Sequence, residues 1–179
     1  MGVDFHRLTG EAAAAALDDE LAEVYMAIRA EPPYNSGPLY QRDRFLDRTR
    51  KQAGSPGFTL VVAEDGGAPV GFAFGLPFPA GRWWGGETTP GPAEVVAADK
   101  YAVIELNLVK EYRGQGIGGR LLGELLEGRP EPYATLLSRP EAAAHAIYEH
   151  WGWKVVGTCR PAPDAEVADV MVLDRRRIR

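Results

Sequence analysis

Between Tyr112 and Arg120 the chain reads YRGQGIGGR, with four glycines inside six residues. An apolar run, YAVIELNLV, precedes it and an amphipathic run, LLGELLE, follows. A strand that enters a glycine-rich turn and then a helix suits a phosphate. Backbone N–H groups converge there, the helix dipole favours negative charge, and side chains would hold the phosphate away. The amides from Arg113 to Gly119 therefore read as a phosphate cradle. The alternative is a glycine-rich turn with no ligand, although four glycines opening a helix lower its stability.

Two well-known phosphate loops compare poorly. The triphosphate loop G-x-x-x-x-G-K-[ST] fits Gly114 and Gly119 but then meets Arg120 and Leu121, with no Lys for the phosphates and no hydroxyl for magnesium. The dinucleotide fingerprint G-x-G-x-x-G fits Gly114, Gly116 and Gly119. It also wants an acidic residue at the end of the next strand, where this chain has Ser138 and Arg139. An arginine that holds a 2′-phosphate would keep an NADP-binding oxidoreductase open, but too little chain follows to complete a doubly wound sheet.

Other residues have chemical potential. Glu105 lies inside an apolar strand, where alternation puts it on one face with Tyr101, Val103, Asn107 and Val109. A carboxylate in a partly dry cleft suits a base working near neutral pH. The alternative is a surface position paired with Lys or Arg. Tyr148 shares a helix face with Ala144, Ile147 and Trp151, which by itself reads as a core tyrosine. Trp83 and Trp84 stand side by side in a long irregular stretch; they either wall an acceptor pocket or fold back on the core. His145 and His150 lack metal-ligand spacing, and no metal is expected. Cys159 is the one cysteine, so neither an internal disulfide nor a cysteine zinc site is available.

The whole chain sets the bounds. Its 179 residues suffice for a single domain over 1–179, and 45% hydrophobic with 25% charged residues is ordinary globular composition. A net charge of −5 argues against nucleic acid as a partner. No signal-peptide pattern and no long apolar run are visible, so no membrane partner and a cytoplasmic location are expected.

The elements that must position these residues follow in order. A short strand near Phe5–Leu8 precedes a helix from about Glu11 to Ala30, with Leu17, Leu21, Val24, Tyr25 and Ile28 on one face. Pro32 and Pro33 stop it. A polar helix covers about Leu39 to Gln52 and reads as a solvated, salt-bridged face. GFTLVVAEDGGAPVGFAFGLPF reads as a hairpin around Asp65-Gly66-Gly67. The strand Tyr101–Val109, the glycine turn and a helix through Ile117, Leu121, Leu122 and Leu125 come next. YATLLS is a strand, and Ser138 with Glu141 reads as a capping box opening a helix that Gly152 closes. Two more strands end the chain before the basic tail RRRIR, read as a solvated end. The pattern predicts a mixed α/β sheet with helices on both faces.

Read as R-x-x-G-x-G, with Arg113, Gly116 and Gly118, the loop resembles the acyl-CoA motif of the GNAT superfamily of N-acetyltransferases. AAAHAIYEHWGWKVVG resembles that family's ending, with Ala144, Tyr148, Gly152 and Trp153 in register. The order of elements agrees from about Gly57 to Gly157. One departure is Glu141, where many members have an Asn that helps hold the CoA arm.

The resemblance implies a twisted, mostly antiparallel sheet of about six or seven strands, flanked by about four helices. Its parallel fourth and fifth strands splay around acyl-CoA. It implies acetyl transfer from acetyl-CoA to a primary amine, on a small molecule, a lysine or a protein N-terminus, by direct transfer in a ternary complex. Backbone groups of Leu106, Leu108 and Val109 would hold the thioester and pantetheine. Arg113, Gly114, Gln115, Gly116, Ile117, Gly118, Gly119 and Arg120 would hold the pyrophosphate. Glu105 would accept the amine's proton, and Tyr148 would protonate the departing thiolate. A catalytically silent acyl-CoA sensor stays open, as does a homodimer.

Overall fold

The structure is a computed structural model and describes residues 2–177. Met1 and the last two residues of the basic tail, Ile178 and Arg179, lie outside the described residues.

The first strand is β1 (Asp4–Thr9). The one helix expected from Glu11 to Ala30 is two, α1 (Gly10–Ala16) and α2 (Asp19–Arg29). Asp18 makes the break. Its backbone is extended and its carboxylate accepts from the Leu21 N–H at 3.0 Å, so it caps α2. The apolar stripe survives the interruption, since Leu17, Leu21, Val24, Tyr25 and Ile28 are all buried. A 3-10 turn at Pro38–Tyr40 leads into α3 (Arg42–Ala53).

The hairpin consists of β2 (Thr59–Asp65) and β3 (Ala68–Phe78), antiparallel, with Gly66 and Gly67 at φ +60° and +84°. Those angles match the mirror-image turn that tight hairpins favour. The irregular stretch that follows contains β4 (Glu87–Thr88) and α4 (Ala93–Ala97). Then come β5 (Lys100–Leu108), α5 (Ile117–Leu126), β6 (Tyr133–Ser138), α6 (Ala143–His150), β7 (Lys154–Arg160) and β8 (Ala168–Asp174). The expected capping box is absent. Ser138 ends β6, Ala142 occupies the cap position of α6 without a side-chain bond, and Glu141 pairs with Arg139 at 3.5 Å.

The fold is mixed α/β. Among the described residues eight strands run in the order β1-β2-β3-β5-β6-β8-β7-β4, mostly antiparallel, with β5 and β6 the parallel pair. Two compact units divide the chain: one runs to Leu76 and adds Val103–Gly128, and the other comprises Pro77–Ala102 and Arg129 onward.

In the first unit, alternation along β3 separates two helix layers. Phe72 and Phe74 face Phe45 of α3, with ring centroids at 6.1 and 6.5 Å. A Cβ at Gly71 would point the other way, to 3.2 Å from Leu121 of α5 and 2.7 Å from the Asn107 carbonyl oxygen. That space admits only glycine. Leu121 and Leu125 of α5 are fully buried, and Ile117 and Leu122 nearly so.

In the second unit, β6 and β7 both pair antiparallel with β8, and β4 pairs with β7. Trp83 packs on a cluster of Val95, Tyr133 and Val172. Lys100 is fully buried, and its Nζ donates to the carbonyls of Ala98, Val96 and Pro79 at 2.7, 2.9 and 3.3 Å. Burial pushes its ammonium pKa down. The start of the basic tail is tied down: Arg175 donates to the carbonyls of Glu131 and Arg129 at 2.6 and 3.0 Å.

Candidate active site

The glycine loop lies in the first unit. After β5, the Val109 N–H donates to the Val70 carbonyl at 2.9 Å, and a 3-10 turn spans Lys110–Tyr112. Gly114 and Gly116 then adopt φ +77° and +80°, which only glycine enters without strain. Gly116 is the N-cap of α5. The leading N–H groups of a helix have no partner inside it, so those of Ile117, Gly118 and Gly119 face outward at the positive end of the dipole. A Cβ built on Gly114, Gly116 or Gly118 would meet nothing within 4 Å. The space beside these three glycines is open.

The side chains around this loop have partners of their own. Arg113 clasps the Glu31 carboxylate with two bonds of 2.8 and 2.9 Å, and its Nε donates to the Leu108 carbonyl at 2.9 Å. Hydrogen bonding from Arg113 holds the Glu31 pKa below the ordinary carboxylate value. Arg120 stacks over the Phe5 ring at 4.1 Å and pairs with Glu124 at 3.6 Å. Gln115 donates to the Glu111 carbonyl at 3.3 Å.

Glu105 sits on β5 with its side chain 10% exposed. Its Oε1 accepts from Arg29 Nη2 at 2.7 Å and from Asn107 Nδ2 at 3.0 Å. The second bond shows Glu105 and Asn107 on one face, as alternation requires. Arg29 lies among three tyrosine rings, 4.3 Å from the centroid of Tyr34, 5.3 Å from Tyr25 and 5.5 Å from Tyr40. Burial opposes its charge, but the Glu105 carboxylate outweighs it and keeps the guanidinium protonated. The Tyr25 hydroxyl accepts from Arg48 at 2.6 Å; burial, with Glu105 next, pushes its pKa far up, so it stays neutral. Leu106 and Leu108 are half-buried on the opposite face of the strand.

The other expected site residues lie in the second unit. Tyr148 is 7% exposed on α6, edge-on to Trp151 and Trp153 with centroids at 6.1 and 6.0 Å. One helical turn earlier, His145 bonds Glu149 at 3.0 Å and Asp169 of β8 at 2.9 Å, which fixes the helix that carries Tyr148. Trp84 donates to Thr135 Oγ1 at 3.0 Å and meets Phe78 edge-on at 5.0 Å. Both tryptophans therefore pack on their own unit. Among the described residues no group of three His, Cys, Asp or Glu is placed to hold a metal ion. No helix there is long and apolar enough to cross a membrane.

Sequence reasoning gave no role to Arg29 or Asn107. For Arg29 a faint signal existed: it follows Tyr25 by one helical turn, so a cation borders an apolar stripe. For Asn107 the signal was stronger, since Glu-x-Asn places two polar side chains together on one face of an otherwise apolar strand.

These features meet in one class of protein. A family model described as the acetyltransferase (GNAT) domain matches residues 56–155, more than half of the chain. The chain belongs to the GNAT acetyltransferase family. Among solved structures it is similar to the PaiA N-acetyltransferase from Thermoplasma acidophilum in complex with coenzyme A, at 15% identity and a TM-score of 0.62, covering 97% of this chain and 99% of that one. It is similar to an acetyltransferase from Thermus thermophilus, at 15% identity and a TM-score of 0.62, with 97% of each chain covered. It is also similar to the ribosomal-protein-S18-alanine N-acetyltransferase from Escherichia coli, at 20% identity and a TM-score of 0.60, covering 95% of this chain and 93% of that one. A search of curated proteins finds no significant match.

Proposed function

We propose that the chain moves an acetyl group from acetyl-CoA to a primary amine, on a small molecule or a peptide, by direct transfer while both substrates are bound. The observation that carries this reading is the open, glycine-lined loop at the start of α5. Three glycines there face space that a Cβ would enter without contact, beside the leading amides of a ten-residue helix.

Acetyl-CoA, when bound, supplies the activated thioester. The amides of the loop from Gly114 to Gly119 hold its pyrophosphate. Arg113 shapes that loop through Glu31 and Leu108, and Arg120 borders it. Backbone groups of Leu106, Leu108 and Val109 hold the pantetheine arm, and the N–H of Leu106 or Leu108 donates to the thioester carbonyl as charge develops on its oxygen, since that of Val109 is bonded to the Val70 carbonyl. An alkylamine is mostly protonated at neutral pH. Glu105 draws its proton away, directly or through a water, and leaves the nitrogen lone pair free to attack. Tyr148 donates its hydroxyl proton to the leaving thiolate. Trp83 and Trp84 border the acceptor.

One observation favours a second reading, a silent acyl-CoA sensor: the Glu105 oxygen Oε1 is already held by Arg29 and Asn107. A single assay separates the two. The protein is incubated with acetyl-CoA and a panel of amines comprising alkylamines, polyamines, free amino acids and short peptides. Free thiol and the mass of each amine are followed, and CoA affinity is measured by calorimetry. Amine-dependent thiol release with a matching acetyl mass shift supports transfer. CoA binding without either supports the sensor, and no CoA binding overturns both.

A further inference from the structure

Asn107 poses a problem that the roles above leave unsolved. It is 2% exposed, and its Nδ2 donates to Glu105 Oε1 at 3.0 Å. Its Oδ1 is buried and accepts from nothing among the described residues. Flipping the carboxamide would only turn that oxygen against a carboxylate, so the orientation is set by chemistry. An unclaimed buried carbonyl oxygen is costly, and a leucine of similar shape would avoid the cost.

The neighbour has the same character. Both bonds to Glu105 fall on Oε1, and Oε2 accepts from none of the described residues. The two residues thus carry one neutral and one charged acceptor on one strand face. What they lack is a donor. A hydroxyl brings a single donor hydrogen, whereas water and a primary amine each bring at least two on a single atom, and titration with an amine separates the two. Arg29 fixes the arrangement, because its bond to Oε1 leaves Oε2 as the free edge of the carboxylate, and Tyr25, Tyr34 and Tyr40 hold the guanidinium in turn.

We propose that Glu105 Oε2 and Asn107 Oδ1 form a two-point seat for the N–H groups of a primary amine, with Arg29 as its positioning residue. The seat names the part of the site that would take the acceptor nitrogen, and in that respect it rests on the transfer reading. Asn107 is then a specificity residue. It favours a nitrogen with two or more N–H groups over one fully substituted with carbon.

Asn35 and Asn107 are the only asparagines in the chain, so labelling with 15N-asparagine gives two side-chain amide signals. Asn35 sits at φ +47°, which glycine tolerates, and Asn35→Gly leaves Asn107 alone in the spectrum. Methylamine is titrated into the CoA-loaded protein, with tetramethylammonium as the control that has no N–H. We expect a saturable shift of the Asn107 signals with methylamine and none with the control. Arg29→Gln should abolish that shift and Arg29→Lys should restore it in part. Asn107→Leu should raise the KM of any amine substrate by about tenfold, the loss of one hydrogen bond, with CoA affinity unchanged.

Unmoved Asn107 signals, or equal shifts with tetramethylammonium, overturn the seat and assign Oδ1 to water. Thiol release from acetyl-CoA is read separately. Thiol release with unmoved signals keeps transfer and removes the seat. A saturable shift without thiol release keeps the seat and removes transfer.

Discussion

Arg29 and Glu105, 76 positions apart in the chain, are joined by a 2.7 Å bond between side chains that are 13% and 10% exposed. A pair so enclosed has lost most of its water. Removing one partner leaves an uncompensated charge inside, which costs about 3–5 kcal/mol, whereas removing both together is often close to neutral. Arg29→Met should therefore destabilise strongly, and Arg29→Met with Glu105→Leu should recover most of the loss. Denaturant unfolding of the single and double variants measures the coupling. Additive losses would show that the two residues do not support each other.

The glycine loop gives a test that avoids backbone strain. Gly116 is at φ +80°, so any side chain there disturbs the turn itself. Gly118 lies in the first turn of α5, and a Cβ there meets nothing within 4 Å. Gly118→Asp should fold normally, since an acidic residue suits a helix start. It should lose CoA binding, because a carboxylate would occupy the pyrophosphate space. Calorimetry with circular dichroism decides; a folded variant with parental affinity removes the cradle.

Glu31 and Arg113 should give a stability contribution that depends on acid. The pKa of Glu31 is held below its ordinary 4.5, chiefly by the Arg113 hydrogen bond. The unfolded chain takes up the proton first as pH falls, so the contribution is fully present above 4.5 and disappears as pH falls through the lowered value. Glu31→Gln should be less stable than the parent by about 0.2–1 kcal/mol at neutral pH, the range of an exposed pair. Melting curves of the two proteins should converge in acid. A gap that persists at low pH would assign the effect to packing.

Tyr148→Phe keeps the ring against Trp151 and Trp153 and removes only the hydroxyl. If that hydroxyl protonates the leaving thiolate, kcat should fall by about 100-fold or more while acetyl-CoA affinity holds. The defect should shrink with an acyl donor whose leaving thiol is more acidic. Parental turnover would make Tyr148 a packing residue.

Trp84→Phe removes the bond to Thr135, for an expected loss of about 0.5–1.5 kcal/mol. If Trp84 also borders the acceptor, the amine KM should rise as well. Reduced melting temperature with unchanged kinetics per folded molecule would leave Trp84 with packing alone.

What the sequence revealed was local. The loop was legible because Gly114 and Gly116 answer to backbone geometry within their own turn, and the helix after it because Leu121 and Leu125 repeat at the helical period. The break at Asp18 was hidden because the apolar stripe runs straight across it. Ser138 with Glu141 matched a capping pattern, but pairing with β8 claims Ser138 for a strand, and tertiary context overrides the motif. β4 has two residues, too few for any period to appear. The cluster around Glu105 was the least visible, because the cation that meets it comes from a helix far earlier in the chain.

Lys100 has a consequence for chemical labelling. The chain has four lysines, at 51, 100, 110 and 154. Acetyl-CoA and reactive anhydrides modify amines without any catalyst, so the folded protein itself is a target. Lys100 is fully enclosed and its Nζ donates to three carbonyls, so reagent cannot approach it until those contacts open. Its modification should lag far behind that of the other three and speed up with denaturant. The peptide bearing acetylated Lys100 would then count opened molecules, an internal clock for the integrity of the segment between Pro79 and Lys100.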